Sequence, residues 1–165
     1  FEESEETCLV SGGDEPLYLP KDATCSKHRI IFKEDYYSSA LHEIAHWCIA
    51  SKERRQMVDY GYWYEPQREL SDKQLLFEQV EAKPQALEWI FSVAAGIPFF
   101  ISADNLALNN EASSAFKEKI HTHALHYLDA GLPLRARRFT EQLIAYYQRH
   151  ALFIPSCFER EKLGA

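Results

Sequence analysis

The chain has 165 residues, a length typical of one ordinary domain, and 46% of them are hydrophobic, which is enough to build a core. Its 18 basic and 25 acidic side chains give a formal net charge of -7, and no lysine and arginine cluster could neutralise a run of phosphates. The longest apolar stretch is broken by glycine and proline and is shorter than the roughly 20 residues that cross a bilayer. We therefore expect a soluble protein that binds neither nucleic acid nor a membrane.

The first 35 residues contain turn signals and two predicted strands. Gly12-Gly13-Asp14 indicates a turn. Residues 17–19 lie between two prolines, and residues 29–32 form an apolar run rich in β-branched side chains. Each of these two segments predicts a short strand.

A helix is predicted over residues 35–51, because apolar side chains recur there at three- and four-residue steps. The following residues 54–66 contain four aromatic side chains in five positions and predict a strand or an ordered loop. Ser71 and Gln74 then have the spacing of a capping box at the start of a second helix, which continues to Gly96. Pro84 is expected to kink or divide that helix, since proline removes one helical hydrogen bond.

Two further amphipathic stretches, residues 109–129 and 135–150, are separated by Gly131-Leu132-Pro133, which ends one helix and starts the next. The pattern predicts an α+β fold, with one mainly helical domain over residues 1–165 and a small sheet. Four widely spaced cysteines without a CxxC pair predict free thiols in a reducing cytoplasm: Cys8, Cys25, Cys48 and Cys157.

The strongest chemical signal is an HExxH motif on the first predicted helix, formed by His42, Glu43 and His46. Side chains four apart share one helix face, so two imidazoles can reach a single cation. A reactive centre with an open position usually has three protein ligands. The motif therefore predicts a metal site that takes its third ligand from elsewhere.

The second predicted helix offers Glu78 and Glu81 as the third ligand, and a helix carrying this glutamate against the HExxH helix would give a zincin-like core. We prefer Glu81, because Pro84 would stiffen the backbone close to it. The glutamate that does not bind metal would orient a ligand histidine, or both glutamates would be solvated charges on the helix surface. Asp59 is a competing ligand.

Other candidate residues allow two interpretations. Asp59, Tyr60, Tyr62 and Trp63 would line a substrate pocket, or the aromatic rings would pack at the edge of the core. A second histidine cluster cannot face one metal from a single helix, and we interpret it as polar side chains on a partly exposed helix: His121, His123 and His126.

Two histidines and one carboxylate suit two reactions. In a zinc metallopeptidase the metal acidifies a bound water and Glu43 takes its proton. In a non-haem iron oxygenase the same ligands leave positions for dioxygen and substrate. The spacing alone does not choose between them, and a closed site in a metal-stabilised binding module is a third possibility.

Four segments together resemble the bacterial elongation factor P hydroxylase family. They are DEPLYLP at residues 14–20, SALHEIAHWCIA at 39–50, DYGYWY at 59–64 and EAKPQALEW at 81–89, in the order that the family has them. The similarity covers roughly residues 14–106.

This resemblance implies a hydroxylase that acts on the β-lysylated lysine of elongation factor P. It also implies Fe(II), held by His42, His46 and a glutamate, with Glu43 as the candidate catalytic group and substrate ammonium groups received by acidic side chains beside aromatic rings. The chain has no HxD pair and is too helical for the fold of well-known 2-oxoglutarate hydroxylases, so we do not expect it to need 2-oxoglutarate.

Overall fold

The computed structural model describes residues 2–59, 70–102, 112–149 and 155–163. The chain divides into two compact units, Phe1–Tyr64 and Glu65–Ala165. Within the described residues the first unit holds a three-stranded sheet and one α-helix, and the second is helical. The α+β class is confirmed, and a single domain over residues 1–165 stays a prediction.

The sheet of the first unit contains β1 (Thr7–Gly13), β2 (Leu17–Leu19) and β3 (His28–Lys33). Strand β3 is central, parallel to β1 and antiparallel to β2. The two predicted strands are confirmed, but β1 was not predicted, and it includes the two glycines that we interpreted as a turn. Its register with β3 shifts between Val10 and Gly13, and a Cβ at Gly13 would lie only 2.8 Å from the Ile31 side chain. A residue without a side chain is therefore favoured at Gly13, at the irregular end of β1.

Helix α1 (Tyr37–Ile49) packs against β3 and carries the HExxH motif. Its buried face consists mainly of the periodic apolar residues, which confirms the predicted helix within two residues at each end: Ala40, Leu41, Ile44, Ala45, Trp47 and Cys48. A short 3₁₀ helix, Arg54–Gln56, follows, and Asp59 forms an isolated antiparallel bridge with Tyr18 of β2. The aromatic residues 60–64 lie outside the described residues.

Helix α2 (Leu70–Ala95) is continuous through Pro84, so the proline does not divide it. Pro84 itself is almost fully buried. The predicted capping role of Ser71 is wrong, because Leu70 and Ser71 are already helical. Most residues from 82 to 95 are buried, as expected for a helix that packs against two others, α3 and α4.

Helices α3 (Ser114–Ala130) and α4 (Leu134–Tyr146) complete the described helical part of the second unit. Gly131, at a φ of 94°, ends α3, and its N–H donates to the Tyr127 carbonyl at 3.1 Å. Pro133 then precedes α4, as the sequence predicted. Both helices are shorter than predicted, and residues 109–111 and 150 lie outside the described residues.

Two further predictions concern disulfides and membranes. The four cysteines are free in the structure, which confirms the prediction of unpaired thiols. Among the described helices, none combines the length and the apolar character that crossing a bilayer requires.

Candidate metal centre

The first unit brings the two histidines of the HExxH motif together. His42 and His46 are half-buried and one helical turn apart on α1, and their Nε2 atoms lie 3.1 Å from each other. Two nitrogens bound to one metal at about 2.1 Å, with an angle between tetrahedral and square, lie about 3.0–3.4 Å apart. The observed separation falls in that range. The separation of the two nitrogens is therefore compatible with two ligands of one divalent metal.

Glu43 lies on the same helix between the two histidines. Its side chain is half-buried, so it combines access to solvent with a position next to His42 in the chain. Its catalytic role stays a prediction.

Glu78 on α2 is engaged inside the second unit. Its Oε1 accepts hydrogen bonds from Ser113 Oγ at 2.8 Å and from Gln74 Nε2 at 3.4 Å. Its Oε2 lies 3.8 Å from the Lys119 ammonium group. The carboxylate therefore has a structural task, which is to connect α2 to the start of α3 and to Lys119.

Glu81 follows Glu78 by three residues on α2. Both glutamates are only 4% exposed, so the interpretation of them as solvated surface charges is wrong. Burying a carboxylate is costly unless a cation or hydrogen-bond donors compensate it. Glu78 already has three partners in its own unit, which makes it a weaker candidate for a metal ligand. The preference for Glu81 stays a prediction, and α2 passes through Pro84 without interruption.

Asp59, the alternative ligand and predicted substrate contact, is paired with a cation. Its Oδ2 accepts from Arg54 Nε at 2.6 Å, in an ion pair whose two side chains are 22% and 33% exposed. That pairing makes Asp59 a weaker candidate for a metal ligand. The other predicted substrate contacts lie outside the described residues: Tyr60, Tyr62 and Trp63.

The second histidine cluster behaves as polar helix residues. His126 is exposed, while His121 and His123 are half-buried on α3. His121 Nε2 lies 2.9 Å from the Phe158 carbonyl oxygen. Burial, followed by the charges of Lys83 and His126, lowers the pKa of His123. These contacts agree with the interpretation that the cluster is not a metal site.

Sequence reasoning missed a buried polar group beside β2. Tyr18 Oη lies 2.8 Å from Nδ1 of His28 and donates to the Arg55 carbonyl oxygen at 2.9 Å. His28 is 7% exposed, and burial, followed by the charges of Lys21 and Arg55, lowers its pKa. A tyrosine and a histidine ten residues apart in short strands carry no recognisable spacing, so no signal in the sequence indicated this contact.

Comparison with known proteins finds a matching family model and similar curated proteins. The family model described as elongation factor P hydroxylase matches residues 1–156. A protein of Haemophilus influenzae named elongation factor P lysine hydroxylase is 50% identical over 147 residues, which is 89% of this chain and 83% of that protein. Both matches include the HExxH helix and α2.

Proposed function

The chain belongs to the elongation factor P hydroxylase family, and from that premise we propose how it acts as an enzyme on a lysine of elongation factor P. The substrate we propose is the β-lysylated form of that lysine. The observation that carries the mechanism is the His42–His46 pair, whose Nε2 atoms lie at the separation of two ligands of one metal.

We propose that His42, His46 and Glu81 hold the metal. Each of them offers one ligand atom of a kind that divalent metals bind. The HExxH helix and the glutamate-bearing α2 would then form the zincin-like core expected from the sequence. A bound Fe(II) would supply the oxygen chemistry, because two histidines and one carboxylate leave coordination positions open. No 2-oxoglutarate requirement is proposed.

The role that we propose for the protein side chains around this centre is to hold the metal and to orient its ligands. Two imidazoles fixed on one turn of α1 leave little ligand motion to freeze on binding, which favours a metal at a defined position. The role we propose for Glu43, beside His42, is to accept or return a proton as the product hydroxyl forms, or to orient a ligand histidine. Glu78 holds α2 against α3 and thereby fixes the direction of the helix that carries Glu81.

The segment from Asp59 to residue 64 is our proposed substrate contact, with Asp59, Tyr60, Tyr62 and Trp63 facing the substrate side chain. A β-lysylated lysine arrives as a long cation, and aromatic faces beside a carboxylate suit its ammonium groups. Because Asp59 already pairs with Arg54, the cation would share this carboxylate. We also propose that the enzyme acts in the cytoplasm, where free cysteines persist and a translation factor works.

The reaction is tested by the mass of the product. Purified protein is loaded separately with Fe(II) or Zn(II) and incubated in air, with a reductant, with β-lysylated elongation factor P. A gain of one oxygen atom on intact elongation factor P with iron supports the proposal. Cleavage of its chain with zinc would instead identify a metallopeptidase, and unmodified substrate in every arm would contradict the proposed reaction.

The ligand set is tested with a matched pair of variants. Glu81→Gln and Glu78→Gln remove one negative charge each from the same helix, and both residues are equally buried. The proposal expects Glu81→Gln to lower metal affinity at least tenfold, as loss of a ligand or its close support does, while Glu78→Gln binds metal normally. Loss of metal only in Glu78→Gln would reverse our assignment.

A further inference from the structure

Tyr18 of β2 contacts two residues of the segment that precedes the aromatic residues. The Tyr18 N–H donates to the Asp59 carbonyl at 2.6 Å, and the Asp59 N–H donates to the Tyr18 carbonyl at 3.0 Å. The Tyr18 hydroxyl donates to the carbonyl of Arg55 at 2.9 Å. One side chain and its own backbone thus contact both ends of the stretch from residue 55 to residue 59.

The position of the Tyr18 hydroxyl is set by His28. Nδ1 of His28 accepts the backbone N–H of Lys21 at 3.2 Å, so that nitrogen is the acceptor and the ring proton lies on Nε2. The same Nδ1 lies 2.8 Å from Tyr18 Oη. The single hydroxyl proton therefore has two acceptors within reach, the imidazole and the Arg55 carbonyl, which fix the oxygen between them. The Tyr18 and His28 rings also lie stacked, 6.0 Å apart.

Two ion pairs stiffen the same segment. Arg54 Nε contacts Asp59 Oδ2 at 2.6 Å and closes the turn between residues 54 and 59. Arg55 Nη1 lies 3.4 Å from Glu5 Oε2, just before β1, with both side chains about one-fifth exposed. Surface ion pairs contribute little on their own. Together with the three hydrogen bonds that join Tyr18 to Arg55 and Asp59, they hold the segment to the sheet.

We infer that Tyr18 is a positioning residue for the protein substrate: its hydroxyl holds the Arg55 carbonyl and its backbone holds Asp59, so that Tyr18 sets the position of Asp59 beside the sheet. This inference rests on the proposed function, in which Asp59 contacts the substrate. Tyr18 lies on β2, whereas His42 and His46 lie on α1, so its effect is expected in substrate binding and not in the chemical step.

The test compares Tyr18→Phe, which keeps the ring and removes only the hydroxyl, with Tyr146→Phe as a matched control. Tyr146 is 80% exposed and belongs to the other unit. For Tyr18→Phe we expect the apparent KM for elongation factor P to rise roughly three- to tenfold, the effect of one lost hydrogen bond. The kcat value, the bound iron and the control are expected to stay within about twofold of wild type. Backbone amide exchange in the peptide covering residues 54–59 is expected to accelerate.

The outcomes separate the two proposals. Faster amide exchange with an unchanged KM would make Tyr18 merely structural and overturn the inference. No change in either quantity would show that the hydroxyl does not hold the segment, and would overturn it too. If wild-type protein loaded with iron fails to hydroxylate elongation factor P, the proposed function fails first, and the positioning role falls with it.

Discussion

Ser113 offers a quantitative test of how α2 is held, because its hydroxyl has two partners. Its Oγ accepts the N–H of Phe116 at 3.0 Å as the N-cap of α3, and it donates to Oε1 of Glu78 at 2.8 Å. Replacing a serine N-cap with alanine costs about 1 kcal/mol. Removing a hydrogen bond to a carboxylate costs about 1.5–3 kcal/mol, and the Glu78 side chain is only 5% exposed. Ser113→Ala should therefore lower the free energy of unfolding by about 2.5–4 kcal/mol.

The two contributions can be separated by urea unfolding of two variants. Ser113→Asp keeps a side-chain acceptor for the helix cap but removes the donor to Glu78 and adds a like charge. It should lose the carboxylate contribution and retain the cap. If Ser113→Ala loses less than about 1 kcal/mol, or if Ser113→Asp is as stable as wild type, the Glu78 contact contributes nothing. Bound metal should be unchanged in both variants, since Glu81 and not Glu78 is the proposed ligand.

Three further outcomes are expected. Asp59→Asn breaks the ion pair with Arg54 and should raise the KM for elongation factor P roughly three- to tenfold while metal content stays constant; an unchanged KM would remove Asp59 from the substrate contacts. Burial, then the charges of Lys21 and Arg55, lowers the pKa of His28 below its usual 6.5. As the pH falls, the imidazole of the unfolded chain is therefore protonated before that of the folded chain. The free energy of unfolding decreases as the pH drops from about 6.5 toward the pKa of the folded chain, and His28 has no such effect above about pH 6.5. His28→Asn should show a smaller loss between about pH 7.5 and about pH 5.5 in urea unfolding, and an identical pH profile would contradict the sign. Chelation of the metal should lower the Tm, because a metal that binds only the folded chain stabilises it; equal Tm values with and without metal would argue against a site formed by the fold.

The HExxH helix could be predicted because its information is local. The apolar face of α1 and the two histidines lie within thirteen residues of sequence, and their periodicity determines both the buried face and the side on which His42 and His46 meet. Strand β1 could not be predicted in the same way. Leu9 and Val10 are 45% and 37% exposed, so the strand shows no alternation of buried and exposed positions, and its two glycines resemble a turn.

The choice between the two glutamates of α2 shows where sequence reasoning ends. Glu78 and Glu81 have the same chemistry, the same helix and nearly the same position relative to Pro84. The structure gives Glu78 a partner in Ser113, which lies 35 residues later in the chain, and no local sequence pattern indicates such a contact. The hydrogen bond between Tyr18 and Arg55, 37 residues apart, is a second case. It joins a side chain to a backbone carbonyl, which every residue type has, so the identity of residue 55 does not indicate it.

In the proposed reaction this chain inserts an oxygen atom from dioxygen into the lysine of elongation factor P, at a metal centre that includes His42 and His46. The most direct measurement is mass spectrometry of β-lysylated elongation factor P after incubation with the iron-loaded protein under isotopically heavy dioxygen in ordinary water. We expect one heavy oxygen atom in the modified lysine with wild type, and none with His46→Ala. An ordinary oxygen atom drawn from water, or the same heavy-oxygen incorporation by His46→Ala, would contradict it.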